Sequence, residues 1–303
     1  MNKRDLLTLW DFSTPEITAL LKRALELKAG ADAQKCPLIG KSIGLYFEKP
    51  STRTRVSFEV GIYQLGGQSI YLTPQELQLS RGETIADTAR VLSRYLHGFV
   101  FRTFSHDLQA EFASHATIPV VNGLSDLHHP CQALADLMTI LEKKGRLEDV
   151  RIAYIGDGNN VANSLIEAAV RTGMQIIVAC PEGYEPNPDV LDRAREGGTA
   201  GQVLILRNVR EAVSRADVIY TDVWVSMGQK EDGQKKKRKF APYQVNGELL
   251  QCAEKDVIVL HCLPAHRGEE ITDEVMDGEH SAVFDQAENR LHTEKALLEY
   301  LIS

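Results

Sequence analysis

No apolar run in the chain approaches the roughly 18 residues of a membrane span. The cysteines are five, Cys36, Cys131, Cys180, Cys252 and Cys262, at no disulfide-framework or metal-ligand spacing. An odd, scattered set excludes a disulfide-stapled secreted scaffold and points to a reducing cytoplasm. Met1-Asn2-Lys3-Arg4-Asp5 leads directly into a polar-interrupted helical pattern, so no targeting segment is expected. Positive charge is also short: 34 Lys and Arg face 42 Asp and Glu, a net charge of −8, which argues against a general nucleic-acid or membrane-surface role. Nothing repeats at solenoid period. What remains is an ordinary globular composition, 43% hydrophobic and 25% charged over 303 residues, enough for two domains of roughly 150 residues each.

Strand-length and helix-length patterns alternate through the first half. A helix is expected at about Thr14 to Lys28, with strands at 42–47, 68–71, 98–102 and 119–121 and helices after Arg55, at about 84–95, up to about Ser114 and at 131–144. The charged segment 142–146 reads as a boundary. The pattern restarts with a strand at 151–155, a helix at 161–171 and strands at 175–179, 203–206, 218–220 and 257–261; a last helix is expected at about Thr293 to Leu301. The prediction is an α/β protein of two doubly wound parallel-sheet domains with a crevice between them, 1–144 (joined by a C-terminal helix at about 291–303) and 145–290. The basic run Lys235-Lys236-Lys237-Arg238-Lys239 follows Glu231-Asp232-Gly233 and reads as a solvated loop.

Pro50 ends the strand at 42–47, and after Arg55 the residues Val56/Val60/Tyr63 and Phe58/Ile62/Leu65 recur at helical spacing until Gly66-Gly67. Ser51-Thr52-Arg53-Thr54-Arg55 therefore sits at a helix N-terminus, where backbone N–H groups point outward and the macrodipole is positive. Three hydroxyls and two guanidiniums there suit a phosphate, which arginine binds bidentately. A lone Ser-Thr-Arg would read more simply as an N-cap followed by surface arginines; five such residues favour an anion site.

Other polar loops also follow strands, where the carboxyl ends of a parallel sheet bring side chains together. Arg102 closes its strand, and His128-His129-Pro130-Cys131-Gln132 follows the polar turn 122–126; imidazole, guanidinium and carboxamide could grip a carbonyl and an amide beside a phosphate. Adjacent histidines have poor geometry for a shared zinc. Gly156-Asp157-Gly158-Asn159-Asn160 resembles a nucleotide-binding turn, yet the next strand ends in Ala179-Cys180-Pro181 rather than an acidic residue. Its asparagines could instead hold a substrate carboxylate or ammonium. Asp222 follows another strand and suits an ammonium, with Ser226 near it; a turn or cap aspartate fits the same position. Cys262, after His261, could be a nucleophile, but alternate strand residues face opposite ways, so a His261–Cys262 dyad is disfavoured, and a buried inert thiol is the commoner outcome.

Taken together, Ser51–Arg55, His129-Pro130-Cys131-Gln132, Asp222-x-x-x-Ser226-Met227-Gly228, His261-Cys262-Leu263-Pro264 and Phe284–Arg290 resemble the ornithine carbamoyltransferases of the aspartate/ornithine carbamoyltransferase family, from end to end of the chain. Gln78, in place of the lysine of the aspartate branch, and the Ser-Met-Gly pattern are similar to the branch that uses free ornithine. The resemblance implies transfer of a carbamoyl group from carbamoyl phosphate to the δ-amine of L-ornithine, giving citrulline and phosphate, in arginine biosynthesis rather than catabolism. It implies that Ser51, Thr52, Arg53 and Thr54 hold the phosphate, that Arg102, His129, Gln132 and Arg290 take the carbamoyl group, and that Gln78 reaches a neighbouring subunit's site. It assigns ornithine to Asn160, Asp222, Ser226 and Met227. Cys262 and Leu263 would lie beside the amine and touch carbamoyl phosphate too, with Arg102, His129, Asp222 and Cys262 as the catalytic set. No cofactor and no metal are implied, nor a nucleic-acid or membrane partner. A homotrimer, assembled further or not, is implied. Two substrates entering opposite halves suggest that the domains close, with the polar, glycine-bearing loop 228–241 as a lid. The rivals are a nucleotide-dependent dehydrogenase resting on Gly156-Asp157-Gly158 and a two-domain small-ligand binding protein.

Overall fold

The computed structural model describes residues 3–32, 35–77, 82–198, 202–225 and 233–302. The chain divides into two compact units, residues 1–138 with 288–303, and residues 139–287. In order, the elements are α1 (Thr14–Lys28), β1 (Ser42–Phe47), α2 (Thr52–Gln64), β2 (Gln68–Leu72), α3 (Ile85–Leu92), β3 (Gly98–Arg102), α4 (His106–His115), β4 (Val120–Leu124) and α5 (Pro130–Lys144). They continue with β5 (Arg151–Ile155), α6 (Asn160–Thr172), β6 (Gln175–Ala179), α7 (Pro188–Gly197), β7 (Val203–Leu206), α8 (Val209–Val213) and β8 (Val218–Thr221). The chain ends with α9 (Gly233–Phe240), α10 (Gly247–Leu250), β9 (Ile258–His261), α11 (Asp273–Met276) and α12 (Val283–Ile302).

The first unit holds a parallel four-stranded sheet, order β2-β1-β3-β4. Its strands are short apolar runs because helices cover both faces, so both side-chain rows of β3, Gly98 to Arg102, are buried. Tyr46, Phe99, Phe101 and Phe112 pack as an aromatic group on one side. Chain direction in the sheet reverses between β1 and β3, so the loops after these two strands flank the switch point where such sheets bind ligands. The register of β3 on β4 shifts between Phe101 and Arg102, a bulge that re-aims the last residue, Arg102.

The second unit holds a parallel five-stranded sheet, order β7-β6-β5-β8-β9. Its switch point lies between β5 and β8, so the turn at 156–159 and the residues from Asp222 onward emerge side by side. Both sheets are parallel and doubly wound, as the alternation of strands and helices predicts.

Three local expectations are corrected. The turn at 122–126 begins as strand: β4 continues to Leu124, with Asn122 buried because its amide donates 2.9 Å to the Leu7 carbonyl. The last helix starts at Val283, not near 293, because its first turns bury polar residues, Gln286 and Asn289, and so carry no apolar period. The basic run is helical, α9, with Lys236 and Phe240 buried one turn apart, so the solvated-loop reading does not hold for 233–240.

Candidate active site

In the first unit, Ser51 caps α2, its hydroxyl accepting from the Thr54 N–H at 3.3 Å. The exposed N-terminus of the helix thus begins directly after β1, with Thr52 outward, Arg53 half-buried and Thr54 buried. Thr54 Oγ1 accepts from Arg102 Nη1 at 3.4 Å and from Arg290 Nη2 at 3.3 Å, so residues from β3 and α12 meet on the first turn of α2. Arg290 Nη1 donates to Gln132 Oε1 at 2.9 Å, and Gln132 in turn donates 2.8 Å to Asp136 on the next turn of α5. Glu294 accepts from Arg290 Nε at 3.0 Å and from Nη2 at 2.6 Å, a buried two-point clamp. Burial holds the Glu294 carboxyl above its ordinary range, and the Arg290 charge opposes that rise.

His129 lies in the same group. Its burial, and then the positive charges of Arg290, Arg102 and Arg53, push its pKa well below 6.5, so the ring is neutral at pH 7. A neutral imidazole can donate one N–H to an oxygen without adding a fourth cation. His128 faces the other way, its ring edge-on to His106 at 4.9 Å, which is why the adjacent histidines form no common site.

Arg55 does not join this group. Two residues along a helix is a turn of about 200°, and Arg55 instead pairs with Glu59 at 2.9 Å and stacks over Tyr71 at 3.7 Å. Of the two pentapeptide arginines, Arg53 alone is among the charges that act on His129.

In the second unit the centre is Asp222, just past β8 and 6% exposed. Asn159 Nδ2 donates to its Oδ2 at 2.7 Å, while the Val223 N–H (2.8 Å) and the Cys262 thiol (3.1 Å) donate to Oδ1. Asn159 is itself held as the N-cap of α6, accepting from the Val161 and Ala162 N–H groups and from the Tyr154 hydroxyl. Asn160, half-buried, is the first residue of that helix.

The segment past β9 is fixed by a separate chain of bonds. The Leu263 N–H donates 2.8 Å to His261 Nδ1, which puts the ring proton on Nε2, 3.1 Å from Glu270. The His261 N–H donates to Gln286, and Gln286 to the Tyr220 hydroxyl. Leu263 is held at φ +58, a conformation leucine rarely adopts, beside a cis Leu263–Pro264 bond. Both His261 ring nitrogens are engaged elsewhere, so the ring is no base for Cys262 although one of its nitrogens lies within 4.8 Å of the thiol; the thiol faces a carboxylate, a poor setting for a thiolate nucleophile.

Two groups of side chains have metal-ligand chemistry among the described residues, Asp222 with His261 and Cys262, and His266 with Glu269 and Glu270. In the first, both His261 nitrogens are already engaged within the protein. The glycine turn offers no dinucleotide cradle: a Cβ on Gly158 would stand 2.2 Å from Pro186 N, so the chain's own segment 185–186 covers the backbone that a pyrophosphate would approach.

The sequence matches two family models. Residues 4–142 match the carbamoyl-P binding domain of aspartate/ornithine carbamoyltransferase, and residues 148–301 match its Asp/Orn binding domain. The chain belongs to the aspartate/ornithine carbamoyltransferase family. Among relatives in this family, the ornithine carbamoyltransferase of Syntrophus aciditrophicus is 54% identical over 302 residues, spanning 99% of this chain and all of that one. That of Thermococcus kodakarensis is 54% identical over 299 residues, spanning 97% of this chain and 95% of its own. The solved ornithine carbamoyltransferase from Pyrococcus furiosus superposes with a TM-score of 0.94 at 50% identity, covering 99% of this chain and 97% of that one.

Of the residues that the family resemblance singles out, Thr54, Arg102, Gln132 and Arg290 are joined by direct hydrogen bonds, with Arg53 and His129 in the same electrostatic group. Asp222 and Cys262 are likewise in contact. Gln78, Ser226 and Met227 lie outside the described residues. One supporting residue, Glu294, was missed by sequence reasoning, and another, Asn159, was singled out only as a possible direct ligand of substrate. Asn159 was visible as an N-cap candidate before an apolar helix, but its second bond, to Asp222, depends on β5 and β8 being neighbours. Glu294 follows Arg290 by four residues, the spacing of a helical ion pair, yet the helix containing both was expected to begin only near 293.

Proposed function

We propose that the chain transfers the carbamoyl group of carbamoyl phosphate to the δ-amine of L-ornithine, giving L-citrulline and phosphate. The observation that carries this reading is the pairing of two chemically opposite sites: three guanidiniums around a helix N-terminus in one unit, and a single buried carboxylate held by neutral donors in the other. Whole-length identity with enzymes named ornithine carbamoyltransferase supports the choice of acceptor.

In this reading, the first unit, residues 1–138 with 288–303, takes carbamoyl phosphate and the second, residues 139–287, takes ornithine. Ser51, Thr52, Arg53 and Thr54 receive the phosphate, and Arg102, His129, Gln132 and Arg290 the carbamoyl group. The δ-ammonium of ornithine, with a pKa of about 10.4 by analogy with lysine, must lose a proton before it attacks. Asp222 draws it in and orients it, and the Cys262 thiol with Leu263 borders the amine. As nitrogen adds to the carbonyl carbon, negative charge grows on oxygen, and Arg102 and neutral His129 stabilise it with donors already in place. The phosphate leaves into the α2 cradle and can accept the amine's proton. Asn160, Ser226 and Met227 complete the amino-acid site, and Gln78 belongs to a neighbouring subunit's site.

Carbamoyl phosphate is a mixed anhydride and citrulline a urea, so citrulline synthesis is the downhill direction for any catalyst of this reaction; biosynthesis is the role we propose for this chain. We also propose a homotrimer in the cytoplasm. The apolar residues Val56, Val60 and Tyr63 on α2 are exposed, Tyr63 at 80%, and form a stripe suited to self-association. Among the described residues no helix is long and apolar enough to cross a membrane.

A colorimetric citrulline assay with ornithine, N-acetylornithine, putrescine and aspartate offered separately tests the reading. Turnover with ornithine alone is expected; turnover with aspartate instead, or with no amine acceptor, overturns it. Light scattering at micromolar concentration tests the trimer.

A further inference from the structure

Lys236 is the exception within a basic helix. Lys235, Arg238 and Lys239 of α9 are exposed, whereas Lys236 is 2% exposed, its ammonium 2.7 Å from Asp157 Oδ2 and over the rings of Tyr184 and Phe240 at 5.2 and 5.5 Å. Asp157 belongs to the glycine turn after β5. Its carbonyl accepts from the Asn159 N–H at 2.7 Å, and Asn159 Nδ2 then donates 2.7 Å to Asp222. An unbroken line of bonds therefore runs from α9 through the turn to the carboxylate at the centre of the second unit.

Stability alone is a weak account of this pair. A buried ion pair generally holds a protein together no better than apolar side chains of the same volume would, and Phe240 and Tyr184 already surround the position. Position and charge are the better account. Two carboxylates, Asp157 and Asp222, lie close enough to the Tyr154 hydroxyl that, after burial, both help to raise its pKa. An ammonium substrate entering here would meet two anionic partners unless one were neutralised. From this geometry we infer that Lys236 is a positioning and specificity residue: it neutralises Asp157 and holds the glycine turn, so that Asp222 alone presents its carboxylate to the substrate's amine. The inference rests on the reading that ornithine binds at Asp222.

The test compares wild type with Lys236→Met, Lys236→Arg, Asp157→Asn and the double variant Lys236→Met/Asp157→Asn. Citrulline formation by the wild type is measured first, so that failure of the functional reading shows there and not in the variants. Methionine keeps the helix and much of the volume. Per folded enzyme, Lys236→Met should lower kcat/KM for ornithine on the order of 30-fold, with the larger part in KM. Carbamoyl-phosphate binding by calorimetry, a property of the first unit, should change less than about twofold. Lys236→Arg should retain most activity, and the double variant should recover part of the loss because the unpaired carboxylate is gone. A lowered melting temperature with kcat and KM unchanged would make Lys236 purely structural and overturn the inference. So would a double variant no better than Lys236→Met, since the charge of Asp157 would then be irrelevant.

Discussion

The two sites solve opposite electrostatic problems with the same scaffold feature, the switch point of a parallel sheet. At the first, Arg53, Arg102 and Arg290 gather near a helix N-terminus, and Glu294 clamps Arg290. At the second, one carboxylate, Asp222, is surrounded by an amide, a backbone N–H and a thiol, none of them cationic. Under the function proposed above, the difference follows from what each site would do. A leaving phosphate and a developing oxyanion need fixed positive donors in a dry setting, where they need no reorganisation as the charge forms. An amine that arrives protonated needs a carboxylate that attracts it without being satisfied in advance by a cation. In the first site even the histidine is kept neutral, by burial first and then by the charges around it.

Asp222→Asn should break the comparison on the acceptor side with the largest effect. The amide neither attracts an ammonium nor takes up its proton, so kcat/KM for ornithine should fall roughly 10³- to 10⁴-fold, while carbamoyl-phosphate affinity and the melting temperature hardly move. Kinetics from pH 6 to 10 beside calorimetry checks this. A variant with full activity and the wild-type pH profile would reduce Asp222 to a turn residue. Arg102→Gln addresses the donor side and should cost about 10²- to 10³-fold in kcat, with a smaller loss of carbamoyl-phosphate affinity. A rise in KM alone would mean that Arg102 binds only the ground state.

Both sites were legible in the sequence to the extent that they depend on strand ends. The short apolar runs ending at Phe47, Arg102, Thr221 and His261 locate the carboxyl edges of two parallel sheets, and the polar residues that follow each run had to gather there. What periodicity could not show is which way a polar side chain turns on a helix whose buried face is itself polar. Gln286, Arg290 and Glu294 hid the start of α12 for this reason. Lys236 was hidden among four other basic residues, with nothing in composition to separate it from them. Asn159 looked like a cap, and is one; its bond to Asp222 joins residues 63 apart in sequence.

His129→Gln should have a smaller effect that also carries a pH signature. Glutamine still offers an N–H, so turnover should drop about tenfold, the worth of one hydrogen bond. The buried ring has a pKa below its ordinary 6.5, so the unfolded chain binds the proton more readily. His129 therefore contributes stability above about pH 6.5 that is lost as pH falls below that value. The variant lacks this loss. His106 and His292 are also lowered, chiefly by burial, and give a slope of the same sign in both proteins, so the measurement is the difference between the two melting curves from pH 7.5 to 5. Parallel curves would mean that His129 takes up its proton as readily in the folded protein as in the unfolded chain, contrary to a site that excludes a fourth cation.

Arg55→Ala should have the smallest effect, and it sharpens the comparison from within the motif that suggested an anion site. Arg55 shares the pentapeptide with Arg53, and composition and position at the helix terminus give the two the same standing, although the family resemblance takes only Arg53. In the structure it points to the surface, 44% exposed, paired with Glu59 and stacked on Tyr71. Its removal forfeits an exposed helical ion pair and a cation–π contact, together worth about 1 kcal/mol or less. It takes no charge from the group around His129, whose ring is depressed by Arg290, Arg102 and Arg53. Turnover and carbamoyl-phosphate affinity should therefore stay within about twofold of wild type, with a melting temperature lower by a few degrees at most. The arms of the test are calorimetric affinity and kcat for the single variant. A tenfold loss of affinity would return Arg55 to the anion site and mean that the guanidinium swings from Glu59 to the phosphate when substrate binds.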